Sequence, residues 1–270
     1  MKPYLAAAVQ MTSIPDVDQN LTQAEDLIQV ATNRGASLVG LPENFSFLGD
    51  ESAKVRLALE IAEKSHKFLI TMAQKYQITL LGGGFPVPVP NSNKMYNTAL
   101  LVSPEGVELA RYQKIHLFDV NLPDGNTYQE SDTIQAGTEV AAIYRDDRLG
   151  NLGLSVCYDV RFPELYRHLT QQGAEVLFVP AAFTAYTGKD HWQVLLQARA
   201  IENTCYVIAP AQVGWHNPRR QSHGHAVIID PWGVVLANAG QQVGVAVAEI
   251  QPSRLEQVRR QMPCLQHRVL

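Results

Sequence analysis

Three residues able to cooperate in acyl transfer stand in separate short segments: Glu43 in Leu41-Pro42-Glu43-Asn44-Phe45, Lys114 in Tyr112-Gln113-Lys114-Ile115-His116, and Cys157 after Leu152-Gly153-Leu154-Ser155-Val156. Cys157 ends an apolar run and precedes the polar turn Tyr158-Asp159-Val160-Arg161, beyond which helical spacing begins. A thiol held at a helix start has a lowered pKa and a larger fraction of thiolate, the form that attacks carbonyl carbon. The same position suits a free cysteine that simply packs in the core. Glu43 follows a rigid proline among apolar neighbours, a setting that part-buries a carboxylate, raises its pKa and suits a general base. An exposed loop glutamate is the other reading of that position. Lys114 would present an ammonium to a developing oxyanion, or else be a solvated surface lysine.

Other chemistry is less well supplied. Histidine commonly activates sulfur, yet His116, His191, His223 and His225 carry no distinguishing local pattern. His223 and His225 alternate on one face of an expected strand, but no third ligand completes a set, so no metal is expected. Gly82-Gly83-Gly84 lacks both the dinucleotide fingerprint and the Lys-Ser/Thr of a phosphate loop, which leaves close backbone packing as its reading. Three cysteines, Cys157, Cys205 and Cys264, are odd in number and lack zinc-ribbon spacing, which argues for a reducing cytoplasm rather than a disulfide framework.

The elements that must position these residues alternate. Tyr4 to Gln10 predicts a strand, the spacing from Leu21 to Ala31 a helix, Ser37 to Leu41 a second strand ending at Glu43, Ala53 to Tyr76 a long helix, and Ile78 to Leu81 a third strand. Asn97 to Val102 and the turn Ser103-Pro104-Glu105-Gly106 then form a hairpin. The second half repeats the order: strand 152–156, helix 163–172, strand 176–179, helix 191–203, strand 206–209, and a hairpin at Asp230-Pro231-Trp232-Gly233. Two such halves, packed sheet to sheet with helices outside, predict an α/β four-layer αββα sandwich with an internal pseudo-repeat. We expect one domain over 1–251 and a C-terminal tail over 252–270, carrying Arg254, Arg259 and Arg260, that contacts a second subunit.

Composition narrows the partners. The 270 residues are 46% hydrophobic, which suits a large core and excludes a disordered chain. With 22 basic and 26 acidic residues, net −4, the chain lacks the basic excess of a nucleic-acid binder. No apolar stretch reaches membrane-spanning length, and the start has no secretory pattern, so neither a membrane nor secretion is expected.

Taken together, Leu41-Pro42-Glu43, Tyr112 to Asp119 and Ser155 to Leu165 resemble the nitrilase superfamily of carbon–nitrogen hydrolases across nearly the whole chain. The resemblance implies the duplicated αββα fold and assigns Cys157 as nucleophile, Glu43 as general base and then acid, and Lys114 as the cation facing the tetrahedral intermediate. It places Glu130 beside the lysine, makes the Tyr158 backbone N–H part of the oxyanion hole, and implies no cofactor and a homodimer. His191 to Glu202 and Gly224 to Gly233 are similar to the amidase branch called Nit rather than to true nitrilases. The implied reaction is hydrolysis of deaminated glutathione to 2-oxoglutarate and cysteinylglycine; the alternatives are omega-amidase action on 2-oxoglutaramate and a catalytically lapsed binding or scaffold protein. The partner is then a small amide bearing carboxylates. Its 2-oxo acid end would meet Arg161, its remote carboxylate Arg219 or Arg220 unless these are solvated, and Phe183 and Thr184 complete the substrate-binding set.

Overall fold

The first strand, β1 (Tyr4–Met11), is buried on both faces from Ala6 onward: Ala6 and Ala8 join the core between two sheets, whereas Ala7, Val9 and Met11 pack beneath helices. A strand covered on both faces reads as a continuous apolar run, and this one does. The structure is a computed structural model describing residues 1–123, 125–139 and 142–269. Its first half continues with α1 (Val17–Asn33), β2 (Ala36–Gly40), α2 (Glu51–Tyr76), β3 (Thr79–Pro88), β4 (Met95–Val102) and β5 (Glu108–Gln113). A short ribbon follows, β6 (Asp119–Asn121) with β7 (Thr127–Gln129). The second half holds β8 (Ala142–Asp146), β9 (Gly150–Leu154), α3 (Pro163–Gln171), β10 (Val176–Phe178), α4 (Ala185–Asn203) and β11 (Tyr206–Ala209). It ends with β12 (Ala211–Asn217), β13 (Arg220–His223), β14 (Val227–Ile229), β15 (Val235–Asn238), β16 (Gly244–Ile250) and α5 (Pro252–Gln261).

The strand order makes the internal repeat explicit. In one sheet β1, β2 and β3 are parallel, flanked by antiparallel β16 on one side and by antiparallel β4 and β5 on the other. In the second sheet β9, β10 and β11 are parallel, flanked by antiparallel β8 and by antiparallel β14 and β15. Helices α1 and α2 cover the first sheet through Ala24, Ile28, Leu69 and Met72, and α3 and α4 cover the second through Leu165, Leu169, Trp192 and Leu196. The four layers are therefore αββα. After β11 the chain leaves the second sheet at Pro210 and enters the first as β12, parallel to β1.

Both hairpins close with the same turn: Gly106 N–H donates to the Ser103 carbonyl at 2.9 Å, and Gly233 N–H to the Asp230 carbonyl at 2.9 Å. Two elements run longer than their sequence patterns predict. β3 extends to Pro88: Gly83 and Gly84, of a residue type that normally weakens strands, fall in a register shift between Gly82 and Phe85, and beyond it Pro86 and Pro88 stay opposite Asn97 and Met95 of β4. α4 begins at Ala185 rather than at His191, with Gly188 inside it, because a Cβ there would lie 2.3 Å from the His223 Cβ and only glycine lets β13 approach. The front of the tail folds back on its own chain: Leu255 and Val258 of α5 are buried, and Arg254 Nε donates to Asp230 Oδ2 at 2.8 Å.

The Gly82-Gly83-Gly84 run is a packing feature of β3, as expected. A Cβ on Gly83 would lie 2.0 Å from the Leu41 carbonyl oxygen and 2.4 Å from the Pro180 Cβ, so β3 could not pass the segment leading to Glu43. Gly83→Ala should therefore destabilise by about 3 kcal/mol, the upper end of overpacking penalties. Gly82→Ala, whose Cβ would meet only the movable Leu69 side chain, should lose clearly less in thermal or denaturant unfolding. Equal losses would contradict the backbone clash.

Candidate active site

Equivalent ends of the two repeats bring the reactive groups together. Glu43 follows β2, Cys157 follows β9, and Lys114 comes directly after β5. Loops at the carboxyl ends of parallel strands converge, which is where α/β folds place their sites. Lys114 Nζ donates to both Glu130 oxygens, at 2.9 and 2.6 Å, and lies 3.3 Å from Glu43 Oε1. Glu43 Oε1 also accepts from Asn97 Nδ2 at 2.8 Å, and Glu43 Oε2 from the Ala182 N–H at 2.9 Å. Glu130 Oε2 accepts from the Phe118 N–H at 2.7 Å. The Cys157 thiol lines the same cavity wall as Glu43, whose charge acts on it. All three groups are nearly removed from solvent: Lys114 is 1% exposed, Glu43 3% and Cys157 9%.

Buried charges persist only when paired, and the pairing decides the protonation states. Burial pushes the Glu43 carboxyl up, but Lys114, the thiol and the Ala182 N–H together outweigh it and hold the group below the usual carboxylate range. For Lys114, burial opposes the ammonium, and the carboxylates of Glu130 and Glu43 overcome it, so its pKa is raised. The Cys157 thiol is pushed well above its ordinary range, first by burial and then by the Glu43 charge, with Lys114 opposing. Carboxylate, ammonium and neutral thiol are thus the resting forms. Both pKa directions expected from the local sequence are reversed. Cys157 does begin a 3₁₀ turn, Cys157–Arg161, but five residues of helix cannot offset burial beside an anion.

The turn presents the sulfur. Cys157 has φ +50°, a left-handed conformation uncommon for a residue with a side chain. Its N–H donates to the Pro180 carbonyl at 2.9 Å. Tyr158 is the second residue of the 3₁₀ turn, within the first turn, where backbone N–H groups have no intrahelical acceptor.

A cavity of about 580 Å³ opens on this cluster, within the range of pockets that enclose drug-sized ligands. Of the expected substrate-binding residues, Tyr158, Phe183, Thr184, Arg219 and Arg220 line it. Arg161 does not: its guanidinium lies 5.2 Å over the Phe183 ring and 5.8 Å over that of Tyr158, and Nη1 is 3.3 Å from His191 Nδ1. It therefore supports two wall residues instead of reaching into the cavity, which corrects its expected role as a carboxylate clamp. The histidines also stand apart from the sulfur. His116 bonds Asp159, His191 meets Arg161, and His223 stacks with His225 at 4.7 Å. Among the described residues no three His, Cys, Asp or Glu side chains gather as a metal site.

Among the wall residues that the sequence did not announce are Asn97 and Lys54. Asn97, on β4, donates to Glu43 and also, at 3.4 Å, to Glu130 Oε1, bridging the two carboxylates. Its only sequence signal is a polar residue opening an otherwise apolar strand. Lys54 lies in the first turn of α2, 5% exposed and paired with Glu51 at 2.9 Å. An amphipathic helix hides such a lysine among its solvated ones.

Comparison with known proteins agrees with this geometry. The carbon-nitrogen hydrolase family matches residues 5–260. Over 270 residues the chain is 68% identical to the deaminated glutathione amidase of Synechocystis sp. (strain PCC 6803 / GT-S), covering 100% of this chain and 99% of that one. The crystal structure of the Caenorhabditis elegans NitFhit protein superposes with a TM-score of 0.93 at 40% identity, covering 100% of this chain and 66% of that one. Saccharomyces cerevisiae Nit3, a member of branch 10 of the nitrilase superfamily, superposes at 0.87 with 30% identity, covering 97% and 95%. The fold and a thiol site of this kind define a hydrolase of amide carbon–nitrogen bonds. The chain belongs to the carbon-nitrogen hydrolase family, the nitrilase superfamily.

A neutral resting thiol has a consequence for its reactivity. Alkylation of Cys157 should show no thiolate step near the ordinary thiol pKa of about 8.5, since burial and Glu43 hold the thiol well above its usual range. Glu43→Gln should slow alkylation by about tenfold or more, because the proton acceptor is gone. Mass-spectrometric rates on the intact protein check both. Faster labelling in Glu43→Gln would mean that Glu43 acts only by repelling a thiolate.

Proposed function

We propose that the protein hydrolyses deaminated glutathione to 2-oxoglutarate and cysteinylglycine through a thioester, with Cys157, Glu43, Lys114 and Glu130 as its catalytic residues. The observation that carries this reading is the buried contact of thiol, carboxylate and ammonium at a cavity of about 580 Å³, roomier than a five-carbon oxoamide requires. The full-length relative, named for that activity, supports the substrate.

The Cys157 sulfur attacks the carbonyl carbon as its proton passes to Glu43, and the C–S bond forms. Lys114 Nζ and the Tyr158 N–H meet the oxyanion. Glu43 returns the proton to the amine nitrogen, the C–N bond breaks, and cysteinylglycine leaves. Water then attacks the thioester, Glu43 takes its proton and passes it to the departing sulfur, and the 2-oxo acid is released. Glu130 holds two of the Lys114 hydrogens and Asn97 fixes the Glu43 oxygen, so neither reacting group reorganises during the step.

Arg220 is our choice for the remote carboxylate. It is half-buried in the cavity wall, and its buried Nε has no hydrogen-bond partner among the described residues. Arg219 is exposed on the same rim and adds charge. We extend the reading to a cytoplasmic homodimer. Three unpaired cysteines suit a reducing compartment, and the exposed apolar Val194, Ile201 and Trp232 suit a subunit contact. In this proposal the hydrolase domain is 1–251, and within the 252–270 tail the residues after α5 meet the second subunit.

Cys157→Ala should abolish turnover while the protein unfolds cooperatively as before; retained hydrolysis would refute the nucleophile. Arg220→Ala should lower kcat/KM for deaminated glutathione by about tenfold or more, the worth of one charge-assisted bond, and leave 2-oxoglutaramate nearly unaffected. Steady-state kinetics on both amides decide the substrate: kcat/KM for 2-oxoglutaramate at or above that for deaminated glutathione would favour the omega-amidase reading.

A further inference from the structure

We infer that Asp159 is a positioning residue that sets Lys114 and Cys157 against one another, and that it does so through four hydrogen bonds. The inference rests on the catalytic roles proposed above for those two residues. Asp159 is fully buried, and no step of the reaction uses it. Its Oδ2 accepts from the Tyr112 hydroxyl at 2.8 Å and from the Val156 N–H at 2.8 Å. Its Oδ1 accepts from His116 Nδ1 at 2.7 Å and from the His116 N–H at 3.3 Å.

The sequence positions of these donors give the carboxylate its meaning. Tyr112 and His116 lie two residues before and two after Lys114, and Val156 immediately precedes Cys157. One side chain thus ties both flanks of the lysine segment, which comes from the first repeat, to the turn that presents the sulfur, which comes from the second. No backbone ladder joins Lys114 to Cys157, because β5 and β9 belong to different sheets. Apart from Asp159, the link between them runs through Glu43, which bonds Lys114 and whose charge acts on the Cys157 thiol, and Glu43 is itself a reacting group.

Two further features fix the arrangement. The His116 ring stacks on Phe162 with centroids 3.7 Å apart and planes within 4°, so its Nδ1–H is aimed at the carboxylate. Cys157 is held in its left-handed conformation from both sides, by the Val156–Asp159 bond and by its own N–H to Pro180. His116, the histidine beside the lysine in sequence, therefore serves the site through Asp159 and not by contact with sulfur. A buried carboxylate survives only with its acceptor capacity filled, and these four donors fill it.

The test uses the full-length protein with deaminated glutathione as substrate. Asp159→Asn keeps the shape but turns an amino group towards the backbone donors. It should lower kcat by about 100-fold, the scale of a misplacement near 1 Å, with KM within about twofold and a cooperative unfolding transition. Tyr112→Phe should lower kcat by about tenfold, and adding it to Asp159→Asn should cost almost nothing more, since the two act as one unit. A merely structural Asp159 would lower the melting temperature but leave kcat per folded molecule unchanged, and that result overturns the inference. If Asp159→Asn does not fold, Tyr112→Phe and His116→Gln each remove one bond; wild-type kcat in both would equally overturn it. Activity surviving in Cys157→Ala or Lys114→Ala would instead undermine the catalytic reading beneath it.

Discussion

An ammonium buried between two carboxylates cannot exist without them, and most of the site's structure follows from that constraint. Removing Lys114 from water is tolerable because Glu130 and Glu43 both reach its nitrogen. The same pairing keeps Glu43 ionised in a place where burial alone would protonate it. An ionised Glu43 in turn keeps the neighbouring sulfur protonated. The nucleophile therefore rests as a thiol beside its own base, and the negative charge moves onto sulfur only as the substrate carbonyl arrives to receive it. The charge then passes to an oxygen facing the ammonium, so the buried cluster carries one net charge throughout.

The fold supplies this arrangement by duplication. Two copies of one strand order, packed face to face, bring the end of β2 and the end of β9 to the same cavity, while β4 and β5 deliver Asn97 and Lys114 from the first repeat's hairpin. Glycine at position 83 is what lets β3 run against the Leu41-Pro42 segment. The hydrogen bond from Ala182, which follows β10, then completes Glu43 from the opposite sheet. Glu43 is thus anchored by groups from both sheets, Asn97 from the first and Ala182 from the second, which limits its freedom more than a single loop would.

Much of this was legible in the sequence, for a physical reason in each case. Doubly covered strands give uninterrupted apolar runs, so β1, β9 and β11 stand out, and the paired Pro-x-Gly turns mark the repeat. Glu43, Lys114 and Cys157 follow strands, and their joint order resembles one superfamily. Their pKa directions were not legible, because each depends on the other two and local context reports none of them. Arg161 misled for a related reason: four residues from the nucleophile in sequence, it turns onto Phe183 and His191. Asn97 and Lys54 sit in segments whose patterns announce only a strand and a helix. Burial and convergence, which decide function here, are properties of the assembled chain.

The resting site holds carboxylate, ammonium and neutral thiol. Thiolate sulfur absorbs in the far ultraviolet and thiol sulfur does not, so the difference spectrum between the protein and Cys157→Ala measures the state of this one group. From about pH 6 to about pH 8, a span that lies below the ordinary thiol pKa, the free protein should show no thiolate band. A band of one thiolate per chain at neutral pH, absent from Cys157→Ala, would contradict it.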